Sequence, residues 1–105
     1  MAKYLHMWEL DTARLSQNPD ELGLLMARIL EMVKKDLREN EFKDWGEFIG
    51  GGGGYAIGEG TETEEFEKTR KYVPYLKFTS IPVLSNKEVI DAMMRAMAPI
   101  NKKQS

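Results

Sequence analysis

The chain has 105 residues, 42% hydrophobic and 30% charged, with a net charge of −2. This is the balance of one folded domain that buries about 60–70% of its unfolded surface, and not that of a disordered or fibrous chain. The absence of cysteine excludes a disulfide scaffold, thiolate metal sites and a cysteine nucleophile, and it suits a reducing compartment such as the cytoplasm. The slightly acidic balance lacks the basic stripe of a nucleic-acid binder, and Lys102-Lys103 in the tail is too small a cluster to supply one. No apolar run reaches the roughly 18 residues that span a membrane. Glu9 and Asp11 come too early for a secretory signal.

Lys3–Leu10 reads as a strand, with Tyr4, His6 and Trp8 on one face and Leu5 and Met7 on the other. Both faces carry bulk, so both are expected to be covered. Asn18-Pro19-Asp20-Glu21 supplies a capping Asn, a Pro at the first helical position and acids in the first turn. Leu22, Leu25, Met26, Ile29, Leu30, Val33 and Leu37 then recur at helical spacing, with Glu31 and Lys35 placed for an i,i+4 pair on the polar side.

Phe42–Ile49 and Tyr55–Glu59 read as strands joined by the glycine run 50–54, a hairpin pattern. Thr61-Glu62-Thr63-Glu64 is a capping box for a second helix, supported by Glu64 with Lys68 and Glu67 with Lys71, and disfavoured beyond Tyr72 by Pro74. Its apolar face is thin: Phe66 and Val73, with the Arg70 stem. Tyr75–Leu84 reads as a fourth strand, in which Pro82, unable to donate to a ladder, belongs at an edge or near a strand end. Ser85-Asn86-Lys87-Glu88 caps a third helix striped by Val89, Ile90, Met93 and Met97, which Pro99 is expected to stop. Residues 1–100 thus form one domain and 101–105 a polar tail.

The order strand, helix, strand, strand, helix, strand is the ferredoxin-like split βαβ arrangement, an α+β fold with helices on one face of a four-stranded antiparallel sheet and here an added C-terminal helix. Helices hide one face only, and a second copy of the chain is the economical cover for the other. Gly54-Tyr55-Ala56-Ile57-Gly58-Glu59-Gly60, the acidic helix after it and Phe78-Thr79-Ser80-Ile81-Pro82-Val83-Leu84 resemble the dimeric α+β barrel superfamily, in particular a group of short single-domain proteins of no assigned activity. The superfamily includes cofactor-independent monooxygenases and muconolactone isomerase-like proteins. The resemblance implies a homodimer with a cavity between sheet and helices, and no particular reaction.

His6, the one histidine, is the candidate for a general base, a proton shuttle or a haem ligand; otherwise it is a hydrogen-bonded histidine within the core or dimer interface. Tyr4, Trp8, Trp45, Tyr72 and Tyr75 are candidates for lining a pocket for a small apolar or aromatic molecule, and Tyr55 shares their character. Glu59 is placed at the pocket rim, where Arg70 can pair with it or both stay in solvent. One His and no Cys leave no metal cluster, and no cofactor is expected. The glycine run lacks the strand-before, helix-after context of a phosphate loop and reads as a hairpin turn or lid. Serine–histidine–aspartate catalysis is formally possible on composition, but no nucleophile elbow or comparable context marks it. Two functions follow: a homodimeric small-molecule-binding domain, or an enzyme resembling the superfamily's monooxygenases and isomerases, with His6 handling the proton alongside Tyr72 or Glu59.

Overall fold

The alternation in the first segment becomes strand β1, Ala2–Leu10, with Tyr4, His6 and Trp8 buried and Met7 exposed. The computed structural model describes residues 2–104, with side-chain surroundings defined over 2–98. After a single 3-10 turn at Thr12–Arg14 the chain enters helix α1, Pro19–Arg38. Asn18 caps it, its Oδ1 accepting from the N–H groups of Asp20 and Glu21 at 2.9 and 3.3 Å, so two of the first turn's orphan donors are satisfied. Ile29 and Val33 are the buried members of its apolar stripe, while Leu30 stays exposed. Glu31 pairs with Lys34 and not with the expected Lys35.

Strand β2 is shorter than its sequence pattern, Asp44–Glu47. Phe42 precedes it and is buried in the core, and Phe48 follows it exposed. The glycine run divides into two roles. Gly51 and Gly52 adopt φ of 76° and 78° and make the turn, a conformation costly to residues with a Cβ. Gly53 and Gly54 already belong to strand β3, Gly53–Gly60. A Cβ on Gly54 would collide with the Gly46 carbonyl and lie 2.6 Å from Trp8 Cζ2, so this glycine serves close packing.

The capping box of the second helix forms as read: Thr61 Oγ1 accepts from Glu64 N–H at 3.2 Å and Glu64 Oε1 accepts from Thr61 N–H at 2.9 Å. It opens helix α2, Glu62–Arg70. The expected apolar face is overturned, because Phe66 and Val73 are exposed and the buried residues are Glu65 and Thr69. The expected i,i+4 pairs are replaced as well: Lys68 turns to Glu65 and Lys71 to Asp36 of α1. An ammonium gains more from a buried carboxylate than from a solvated one, and that preference outweighs the surface pairs.

Strand β4, Leu76–Val83, completes a sheet of order β2-β3-β1-β4 in which every neighbouring pair is antiparallel. β4 is an edge strand, which accommodates Pro82. The architecture is therefore α+β, a four-stranded antiparallel sheet with three helices, and both element order and strand order are compatible with a ferredoxin-like fold. The core lies between α1 and the sheet face bearing Trp8, Ala56 and Leu76. On the opposite face Leu5 pairs across with Ile57 and Ile81, and Met7 with Tyr55 and Thr79. Met7 and Ile81 are 40% and 41% exposed there.

Ser85 and Glu88 form the second capping box, and helix α3, Asn86–Gln104, follows. The stop expected at Pro99 is not observed: α3 runs through it. Proline's fixed φ is within the helical range, so its cost is one donor and crowding of an upstream carbonyl, which a helix of good formers can absorb. The side chains of the tail 101–105 lie outside the described residues. Val89, Ile90, Met93, Met94 and Met97 are all exposed. The Cα radius of gyration is 18.7 Å and the longest extent 70 Å, against about 13 Å for a compact chain of this length. α3 therefore stands away from the body of the chain.

Candidate functional site

β1 is the central feature of the site because it has a partner on each side, so His6 lies between Ala56 of β3 and Ser80 of β4. His6 is 0% exposed. Its Nδ1 is 2.8 Å from Ser80 Oγ and its Nε2 is 3.0 Å from Glu65 Oε1. Glu65 is buried on α2, and Lys68 Nζ lies 2.5 Å from its other oxygen as an ion pair. A carboxylate can only accept, so Nε2 carries a hydrogen; in the neutral imidazole Nδ1 then offers its lone pair and Ser80 O–H donates to it. Tyr4 stacks on the imidazole at 6.2 Å, while Phe42 and Phe78 meet it edge-on at 5.8 and 6.5 Å. Burial, and then the carboxylates of Glu62 and Glu65, raise the Tyr4 phenol above its ordinary value.

Room for the Glu65 carboxylate comes from β3, whose helix-facing positions are Gly54, Ala56, Gly58 and Gly60. A Cβ on Gly58 would collide with Glu65 Oε1, and one on Gly60 would lie 3.0 Å from Oε2. A polar chain of this kind, enclosed by three aromatic rings, is held in one geometry.

A second feature lies under α1. A cleft of about 520 Å³ is lined by Trp8, Trp45 and Leu76 from the sheet side and by Met26, Ile29 and Val33 from the helix. Trp8 and Trp45 stack at 5.6 Å, and Trp45 also packs 5.1 Å from Tyr72. Trp8 Nε1 donates to the Tyr55 carbonyl at 3.3 Å, so its polar edge is satisfied and its ring faces the cleft as apolar surface. Another hollow of about 520 Å³ opens on the opposite sheet face beside the glycine turn, between Met7, Glu9, Phe48, Lys77 and Thr79.

The residues singled out from sequence separate into groups. Trp8 and Trp45 line the cleft. Tyr4 and His6 belong to the buried polar chain. Tyr72 is buried with its hydroxyl donating to Asp36 Oδ2 at 2.6 Å, and burial followed by the Asp36 carboxylate raises its phenol far above its ordinary value. Tyr75 is half-buried against the core. Tyr55 is on the opposite face, its hydroxyl donating to Asp44 at 2.8 Å. Glu59 shares that face by strand alternation, and its carbonyl accepts from Lys68 Nζ at 3.2 Å. Arg70 lies over the Phe66 ring at 4.5 Å, and no Glu59–Arg70 ion pair forms among the described residues.

Sequence reasoning missed Ser80, Glu65, Lys68 and Asp36. The signal for Glu65 was present in Gly54-x-Ala56-x-Gly58-x-Gly60, a strand face stripped of side chains where something bulky must approach. Among the described residues no group of three or more His, Asp or Glu is placed to hold a metal ion, and no helix is long and apolar enough to cross a membrane. Fold and site define a small α+β domain with an apolar cleft under one helix and a Ser–His–Glu chain beside the other. The chain matches no family model and no curated protein.

Proposed function

We propose that this chain is a homodimeric small-molecule-binding domain of the dimeric α+β barrel type, taking an apolar or aromatic ligand in the cleft under α1. The observation that carries the reading is the pairing of both tryptophans of the chain on an apolar cleft of about 520 Å³. That volume is within the range of ligand pockets, and a predominantly apolar and aromatic wall is the usual lining of one. The homodimer is supported by the uncovered face around Leu5, Met7, Ile57 and Ile81 and by the apolar stripe of α3, surfaces that a lone chain would leave in water. The lack of cysteine suits action in the cytoplasm.

Titration with naphthalene, followed by tryptophan fluorescence, tests the reading directly. Saturable quenching is expected, weakened at least tenfold by Leu30→Arg, which places a charge at the cleft mouth on an exposed position. Unsaturable quenching, or no effect of the substitution, contradicts it. A second reading, proton transfer through His6, is favoured by the hydrogen-bonded chain from Glu65 to Ser80. His6 itself is enclosed and does not line the cleft, so chemistry of this kind belongs at the Ser80 end.

A further inference from the structure

The Ser80–His6–Glu65 chain has one end in solvent. His6 and Glu65 are buried, whereas Ser80 is exposed on the edge strand. Any substrate of this chain must therefore meet the Ser80 hydroxyl. We propose that Ser80 is a nucleophile, activated by His6 with Glu65 as positioning residue, and that it takes the acyl group of small carboxylic esters.

Four observations converge on Ser80. The cross-strand register places Ser80 directly opposite His6, so the 2.8 Å bond to Nδ1 follows from backbone pairing and not from a chance surface contact. The carboxylate at Nε2 fixes the tautomer in which Nδ1 is a base toward Ser80. Three aromatic rings and the Gly58 seat hold the imidazole and the carboxylate in place. Finally, Pro82 lacks an N–H and sits opposite Tyr4, so by the alternation of an antiparallel ladder the backbone of Pro82, and of Ser80 two residues before it, points to the free edge. The Ser80 N–H is then an unclaimed donor beside its own Oγ, placed to receive a developing oxyanion. The ring is used the opposite way round from the familiar serine triad. The chemistry is equivalent, because either nitrogen is a base when a carboxylate holds the hydrogen of the other.

In the reaction, Ser80 Oγ bonds to the ester carbonyl carbon while the C=O π pair moves onto oxygen and the hydroxyl proton passes to His6 Nδ1. Collapse of that adduct breaks the C–O bond to the alcohol, which leaves with the proton. Water then repeats the sequence, its proton going to Nδ1 and then to Ser80 Oγ as the carboxylic acid departs.

The test uses the full chain and a biotinylated fluorophosphonate, with the modified residue located by peptide mass spectrometry, and p-nitrophenyl acetate as the ester. The expected result is an adduct at Ser80 formed at least tenfold faster than at Ser16 or Ser85, together with a burst of about one p-nitrophenolate per chain that Ser80→Ala abolishes. Glu65→Gln keeps the shape and an acceptor at Nε2 but removes the charge. It is expected to slow labelling at least tenfold while thermal stability and the imidazole nitrogen shifts of His6 stay near wild type, a separation that a merely structural Glu65 would not give. Labelling no faster at Ser80 than at the other serines, or a burst that survives Ser80→Ala, overturns the proposal. Ser80 is exposed, so its substitution leaves the packing intact and strands only the Nδ1 acceptor of His6. Thermal unfolding of Ser80→Ala checks that the chain stays folded, and the site of labelling in the wild type decides the question even if either variant is destabilised. Because the cleft under α1 is a separate site, naphthalene binding is expected to survive Ser80→Ala.

Discussion

The carboxylate of Glu65 occupies the space that a side chain at Gly58 would fill: a Cβ there would collide with Oε1 and lie 3.1 Å from His6 Nε2. Helix α2 and strand β3 therefore fit through a polar contact where an apolar one is usual, and the acidic helix is amphipathic in the reverse sense from that expected. Gly58→Ala is expected to cost about 1–3 kcal/mol, a fall in melting temperature of about 4–8 °C per kcal/mol. In a Glu65→Ala background the same change should cost clearly less, since the colliding group is gone. Denaturant unfolding of the four proteins of this cycle measures the coupling, and strict additivity would contradict the seat.

Asp36 is buried between α1 and the end of α2, accepting from Tyr72 Oη and from Lys71 Nζ, each at 2.6 Å. Tyr72→Phe keeps the ring on Trp45 but strands one carboxylate oxygen. It should lower stability by roughly 1–3 kcal/mol, the penalty for an unsatisfied buried acceptor. Thermal unfolding of the variant checks this, and an unchanged midpoint contradicts it.

Glu64 and Glu88 both lie below the ordinary carboxylate value of 4.5, held down chiefly by the N–H groups of Thr61 and Ser85 and then by the hydroxyls of the same residues. A carboxylate whose folded value is depressed adds stability above its unfolded value and loses it as pH falls through the folded one. Melting temperature should therefore decline as pH drops below about 4.5, and less steeply in Glu64→Gln, which cannot ionise. Parallel curves for the two proteins would remove the capping carboxylate from the account.

Met7 and Ile81 share the uncovered sheet face, next to Leu5, which pairs with Ile57 and Ile81. Sedimentation velocity at micromolar concentration should show a dimer for the wild type and a monomer for Ile81→Glu, since a carboxylate buried without a partner at such an interface is strongly unfavourable. A monomeric wild type contradicts the homodimer.

Much of the fold was legible because local rules and tertiary packing agree. Asn18-Pro19, Thr61 to Glu64 and Ser85 to Glu88 are helix starts whose side-chain bonds are complete within four residues, and the missing donor of Pro82 restricts it to an edge or a strand end, both of which it occupies. Trp8 and Trp45 were also readable, because large apolar strand residues must pack somewhere. What was illegible is non-local. His6 meets Glu65 and Ser80 at separations of 59 and 74 residues, and the partners of a buried polar group cannot be read from spacing along the chain. Helical periodicity misread α2 for the same reason, since Glu65 and Thr69 lie inward only because His6 and Lys68 satisfy the carboxylate and the Phe66 carbonyl satisfies the threonine.

The binding reading is tested most directly by NMR of the methyl and indole N–H groups during a naphthalene titration. The account predicts saturable shifts at the Trp8 and Trp45 indoles and the Met26, Ile29 and Val33 methyls, with Met7, Ile57 and Ile81 unmoved. Shifts centred on those last three methyls, or shifts that never saturate, would contradict a ligand site under α1.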